Sequence, residues 1–156
     1  MRKNILLFII LAIAILLCGP AVYAQGGVKN GPDPATIRDP ELEKDSLHNL
    51  EVARHYFKLK KAYIAALKRC EEVIAGNPTF AKMDEVLFIA GESSLRLAEN
   101  KGKQTEKQKK PEELREDARN YLSQLVKEYP QSQFRKQAEE DLQPLGGPMP
   151  KEGSKP

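Results

Sequence analysis

Apolar and small residues recur between residues 47 and 78 at spacings that predict two antiparallel helices. Counted backwards from Pro78, these residues lie 5, 8, 12, 15, 21, 25 and 28 positions upstream. They are Val73, Cys70, Ala66, Tyr63, Phe57, Ala53 and Leu50. Ala53 and Ala66 are small enough to let two helices approach, and Pro78 cannot continue a helix. The pattern therefore predicts one repeat unit made of a helix pair.

The same pattern returns once more, before Pro130. Ala118, Leu122 and Leu125 lie 12, 8 and 5 positions upstream of this proline. A helix predicted over residues 82–100 supplies the other half of the second unit, with Leu87 and Ala90 on its apolar stripe. The second unit is longer than the first, and the excess lies in a polar insert, residues 101–111, which contains no apolar side chain and is expected to be a flexible loop that buries nothing. The chain is therefore predicted to be all-α, with two repeat units whose core contains all the positions named above, Pro78 and Pro130 included.

Capping residues define the ends of the predicted helical domain, residues 39–145. Asp39 suits the N-cap of the first helix, and Pro40 suits its first turn. Gly76 is expected to act as a C-terminal glycine for the second helix. Ser132 is expected to cap a short helix that closes the repeat. Together these signals predict about five helices, namely two pairs and a capping helix, followed by a disordered tail over residues 146–156.

The spacing before the two prolines resembles the tetratricopeptide repeat, whose period is about 34 residues. With the first helix pair, the segment LVKEYPQSQFRKQAEEDL (residues 125–142) resembles the periplasmic repeat family of the outer-membrane assembly lipoprotein BamD. The segment is also similar to repeats of Tol-Pal-associated coordinator proteins. The resemblance covers roughly residues 47–142 and implies right-handed superhelical stacking of the helix pairs. It also implies a non-catalytic protein that binds proteins or peptides in the cell envelope. Members of the BamD family carry more repeats and a lipid-anchoring cysteine, so the chain departs from them in both respects.

The resemblance also implies a partner-binding groove, because the first helix of each pair lines the concave side in this repeat family. Carried over in register, the groove positions of the first unit are His48, Glu51, His55, Lys58 and Leu59. Those of the second unit are Glu85, Phe88, Glu92, Leu95 and Arg96. The implied groove is mixed in charge and has an apolar centre.

Residues 1–24 have the composition of an export signal. Arg2 and Lys3 precede an apolar run that ends at Cys18, and a Gly19-Pro20 break then leads to the segment VYA that ends at Ala24. The run is shorter than the roughly 20 residues needed to span a membrane. We expect cleavage after Ala24, a periplasmic product and a disordered linker over residues 25–38. The alternative is lipidation of Cys18, with peripheral attachment to the outer membrane.

Charge and composition narrow the function further. The formal net charge is +3, with 25 Lys and Arg against 22 Asp and Glu. Arg2 and Lys3 belong to the leader, so the exported chain is almost neutral, which argues against nucleic acid as a partner. The insert lysines could bind anionic lipid or a polyanion, although a solvated loop is the simpler interpretation.

No arrangement of a base, a nucleophile and a pocket suggests catalysis, and no cofactor is expected. His48, Glu51 and His55 have spacings that a metal site could use, but a solvated helix face explains them more simply. Cys70 occupies a core position and is expected to pack as a small apolar residue. An interaction module is therefore the preferred function, and a small metal-dependent enzyme is the competing class.

Overall fold

The computed structural model describes residues 38–104 and 108–149, and within these ranges the chain is all-α, with no strand. The helices are α1 (Pro40–Arg54), α2 (Tyr63–Gly76), α3 (Met83–Ala98), α4 (Pro111–Glu128) and α5 (Arg135–Leu142). A π-helical turn (His55–Lys60) continues α1, and a 3₁₀ turn (Gln143–Leu145) follows α5. The predicted all-α class and the number of helices are thus confirmed. The predicted leader, Cys18, residues 25–37 and residues 150–156 lie outside the described residues.

The two repeat units are antiparallel helix pairs. Asn77, just after α2, donates to Ser46 near the start of α1 at 3.1 Å. Ser132, just after α4, donates to Asp84 near the start of α3 at 2.7 Å. The end of each second helix therefore lies beside the beginning of its partner. This packing is compatible with an all-α helical-repeat fold. None of the described helices is both long and apolar enough to cross a membrane.

The first helix begins as the sequence predicts, but α2 ends differently. The Asp39 carboxylate accepts hydrogen bonds from the backbone N–H groups of Glu41 and Leu42, at 2.8 and 3.4 Å. Gly76 is the last helical residue and does not adopt a left-handed conformation. Asn77 ends the helix instead, with φ −145° and ψ 75°. The proline after Asn77 disfavours helical geometry at that position, which explains the difference.

Most of the predicted repeat-core positions are buried. Leu50, Ala53, Tyr63, Ala66, Cys70, Val73, Leu87, Ala90, Ala118, Leu122 and Leu125 all have buried side chains. Phe57 is half-buried, and its ring centroid lies 5.5 Å from that of Tyr63. Pro78 and Pro130 are exposed, so their assignment to the core is corrected. The prolines follow the ends of α2 and α4, where they limit helix length without filling space between helices.

Helix α3 is at the centre of the fold and is buried on nearly every side. It packs against both α2 and α4 and also contacts α1. Its closest approach is at Gly91, where a Cβ atom would lie 2.6 Å from Cγ of Leu122 in α4. A glycine is therefore required for α3 and α4 to pack at this distance.

The polar insert is attached to the turn between α1 and α2. The Lys103 N–H donates to the Lys61 carbonyl at 3.1 Å, and the Ala65 N–H donates to Gln104 at 3.4 Å. Gly102 has φ +104°, and a Cβ atom there would lie 2.6 Å from the Tyr63 ring. The expectation that the insert buries nothing is therefore corrected, because residues 102–104 cover the start of α2. Residues 105–107 lie outside the described part of the insert.

The C-terminal segment is ordered further than its composition predicts. Residues 146–149 fold back along α4, where a disordered tail was expected. Arg119 donates to the Gly147 carbonyl at 2.7 Å, and the Met149 N–H donates to the Ser123 hydroxyl at 2.9 Å. Gly146, with φ +88°, makes the reversal after the 3₁₀ turn. The sequence did not reveal this segment's docking because the contacts use its backbone groups.

Replacing either of the small core residues Ala66 and Ala118 with leucine is expected to destabilise the fold. Ala66 and Ala118 are fully buried, so leucine in either place must displace neighbouring side chains. We expect a loss of about 1–3 kcal/mol in the free energy of unfolding. Urea denaturation measures the loss. Leucine at exposed Ala75 is the control, and a wild-type midpoint for both buried variants would contradict the register described here.

Candidate functional site: the exposed face of α1

Four of the predicted groove residues form one exposed surface, the α1 face, which consists of His48, Glu51, His55 and Lys58. His48 and Glu51 lie in α1, and His55 and Lys58 follow in the π-helical turn that continues it, at successive spacings of 3, 4 and 3 residues. All four are exposed. None of the four side chains forms a hydrogen bond or an ion pair with another described residue. The α1 face is thus a continuous polar surface with both signs of charge, available to a partner.

The groove residue Glu85 is instead held by Arg54 of α1. The guanidinium donates to both carboxylate oxygens of Glu85, through Nε and Nη2, each at 2.6 Å. This paired hydrogen bond raises the pKa of Arg54 above its ordinary value, more than burial lowers it. The contact therefore joins α1 to α3, the first helices of the two repeat units.

Phe88, predicted as the apolar centre of the groove, is covered by Phe134, the residue that precedes the capping helix α5. Its ring stacks on Phe134, with centroids 4.8 Å apart and an angle of 17° between the planes. Both rings also pack against the buried core. Phe88 therefore contributes to the packing of α5 on α3, and the ring face that stacks on Phe134 is not open to a partner.

Glu92 is buried within the fold, with only 5% of its surface exposed. Arg96, one turn later, donates to it at 2.7 and 3.3 Å. Burial raises the pKa of the Glu92 carboxyl, and the nearby Asp141 carboxylate of α5 raises it further, whereas Arg96 opposes both. Arg96 thus offsets part of the cost of burying the Glu92 carboxylate beside Asp141, and among the predicted groove positions only those of the first unit are exposed.

Glu92 gives the fold a specific dependence on pH. The raised pKa means that the Glu92 carboxyl binds a proton more tightly in the folded chain than in the unfolded chain. Protonation of Glu92 therefore stabilises the fold. That contribution is complete below the ordinary pKa of about 4.3 and is lost as pH rises through the folded-state pKa. We expect Glu92→Gln to gain stability relative to wild type as pH rises from about 4.5 to about 7.

Urea denaturation of both proteins at a series of pH values measures this difference. Glu139→Gln is the matched control, because Glu139 forms an exposed ion pair with Arg135 at the same i, i+4 spacing. A stability difference between Glu92→Gln and wild type that is constant with pH would contradict the assignment.

The other candidate side chains do not form reactive or metal-binding groups. Cys70 is buried, and burial raises the pKa of its thiol, which keeps the sulfur protonated. Within residues 38–104 and 108–149, no three His, Cys, Asp or Glu side chains are placed to hold a metal ion. His48, Glu51 and His55 do not form such a group within these ranges.

A surface cleft lies on a different part of the fold from the α1 face. It is an open cleft of about 540 Å³ between α4 and the C-terminal segment, bordered by Ser123, Val126 and Met149. The sequence does not predict this cleft, because one wall is the segment that Arg119 holds in place.

Comparisons with protein-family models, with curated proteins and with solved structures give no match to this chain.

Proposed function

We propose that this chain is a non-catalytic protein-binding module of the bacterial cell envelope that contributes to outer-membrane protein assembly. The observation that carries the proposal is the α1 face, four exposed polar side chains that form no hydrogen bond or ion pair with another described residue. The envelope location rests on the export signal predicted at residues 1–24, and the assembly role rests on the sequence resemblance to the BamD family. A protein or peptide is the class of ligand that a long, shallow helix face fits.

The described contacts explain how α1 could present such a surface. Arg54 holds α1 against α3 through Glu85, and the buried side chains Leu50 and Ala53 hold it against the core. The backbone beneath the α1 face is thus constrained on its other side. Binding of a partner would then cost little conformational entropy, because the helix is already ordered.

Site-specific photo-crosslinking in cells tests the proposed face directly. A photoreactive phenylalanine analogue placed at His55 should form adducts with an envelope protein. The same analogue placed at Asn120, an exposed position on α4, is the control. Adducts at Asn120 but not at His55 would assign binding to the cleft beside α4 and contradict the proposal.

Alanine substitution of the whole α1 face measures its contribution to affinity. We expect the His48, Glu51, His55 and Lys58 quadruple variant to lose at least about tenfold in affinity for the crosslinked partner, because such surfaces concentrate their binding energy. A matched quadruple variant on α4 carries alanine at Glu116, Asn120, Gln124 and Lys127, which are also exposed and similarly spaced.

Thermal unfolding of both variants separates lost binding from lost folding. Equal affinity of the α1 variant and the wild-type chain would refute the site. If the crosslinked partner belonged to the Tol-Pal system, the protein-binding function would stand, but the proposed role in outer-membrane protein assembly would be wrong.

A further inference from the structure

Two lysine-rich segments that are distant in sequence meet at one end of the helical domain. Residues 58–61 end the π-helical turn, and residues 101–104 begin the insert. The Lys103 N–H donates to the Lys61 carbonyl at 3.1 Å, which joins the two segments directly. Gly102 lies against the Tyr63 ring, so its lack of a side chain permits the contact.

We call this surface the lysine corner, formed by Lys58, Lys60, Lys61, Lys101 and Lys103. All five lysines are exposed. Only Lys101 pairs with an acidic residue, Glu99 at 2.8 Å, and the other four have no acidic partner among the described residues. The two segments therefore concentrate positive charge in a chain whose overall charge is nearly balanced.

A large, exposed apolar side chain lies between two of these lysines in the sequence. Leu59 is 71% exposed, the highest value among the exposed large apolar side chains of the described residues. It lies in the π-helical turn between Lys58 and Lys60. An exposed leucine that lies between two exposed lysines in the sequence combines the two features that favour adsorption to an anionic bilayer, namely apolar insertion and attraction to lipid phosphates.

We propose that the lysine corner binds the surface of an anionic lipid bilayer, with Leu59 inserted among the headgroups. Charge complementarity selects the phosphate-bearing surface, and the exposed leucine selects a bilayer over a purely polar polyanion. Nucleic acid is less suited, because Tyr63 is buried under Gly102, and Tyr56 and Phe57 of the π-helical turn pack against the core, so these rings are not free to stack on bases. The membrane contact lies at the C-terminal end of α1, next to the α1 face.

A single tryptophan in place of Leu59 tests the insertion. The chain contains no tryptophan, so Leu59→Trp adds one fluorescent reporter. With vesicles of phosphatidylcholine and phosphatidylglycerol, we expect a blue shift of its emission and protection from an aqueous quencher. With phosphatidylcholine alone, or at high salt, we expect neither change. Leu42→Trp, exposed near the other end of α1, is the control and should respond to neither vesicle.

Charge reversal then tests the lysines. Lys60→Glu with Lys103→Glu should lower the affinity for anionic vesicles by at least about 25-fold, since each lysine near a lipid surface contributes about fivefold. Lys68→Glu with Lys127→Glu changes the net charge equally at exposed sites elsewhere and should have little effect. All variants keep the native N terminus, so any contribution of the N-terminal residues to vesicle binding is the same in each variant.

Three results would overturn the proposal. The emission of the Leu59→Trp variant could be unchanged by anionic vesicles, or it could shift equally with phosphatidylcholine alone. It could also shift with rising protein concentration and no lipid, which would assign the corner to a second copy of the chain. Because Lys60 and Lys103 lie outside the α1 face, failure here leaves the crosslinking test at His55 unaffected.

Discussion

Replacing Gly91 with valine is expected to lower the free energy of unfolding by about 3 kcal/mol or more. A Cβ atom at this position would lie 2.6 Å from both Cγ and Cδ2 of Leu122, which is itself fully buried. Leu122 cannot swing aside into solvent, so α3 and α4 must separate. Urea denaturation measures the loss. Leu122→Ala in the same chain should make Gly91→Val less costly, because it removes the atoms that clash.

A second helical glycine supplies the control for this prediction. Gly76 ends α2, and a Cβ atom there would meet nothing within 4 Å. We therefore expect Gly76→Ala to stabilise the fold by about 0.5–1 kcal/mol, since alanine restricts the unfolded chain and favours the helix. The two glycine substitutions should thus have opposite signs. Destabilisation of equal size at both sites would show that Gly91 is needed for backbone conformation and not for close packing.

Removing the Glu85 carboxylate is expected to cost about 2–4 kcal/mol of stability. Glu85→Ala leaves the Arg54 guanidinium, 29% exposed, without the two hydrogen bonds that now satisfy it. A double-mutant cycle with Arg54→Ala should give a coupling energy of about 1–3 kcal/mol, because both groups are largely withdrawn from water. Stability is measured by urea denaturation of the four proteins in the cycle.

The exposed pair Arg69 and Glu72 is the matched control for this cycle. Its N–O distance is also 2.6 Å, but the two side chains are 42% and 50% exposed. Its coupling energy should stay below about 0.5 kcal/mol. Equal coupling in the two pairs would mean that the Arg54–Glu85 contact does not join the repeat units as described.

The helices of this chain were predictable because their signals are local. Spacing before Pro78 and Pro130 located both repeat units, and Asp39 located the first N-cap. The role of the two prolines was misjudged, since a residue that recurs at a fixed register can limit a helix without entering the core. The spacing alone could not separate these two functions.

The predicted groove was only partly recovered, for reasons that depend on packing between helices. The first-unit groove positions of the predicted register are exposed, but the register did not show that Phe134, just before α5, covers Phe88. It also missed Arg54, because a cross-helix ion pair depends on how far one helix slides along another. Docking of the insert and the C-terminal segment was hidden for a related reason. Both contacts use backbone groups, and those groups carry no sequence signal.

The central position of α3 has a consequence for a growing chain during its synthesis. Until residues 111–128 have been made, α3 lacks the helix that covers its Gly91 side, and Leu87 and Ala90 belong to an incomplete core. A ribosome-bound or truncated chain that ends before α4 should therefore be sensitive to protease and require a chaperone. Once α4 is present, each helix packs mainly against its neighbours in sequence, so the contact order is low and closure should be rapid.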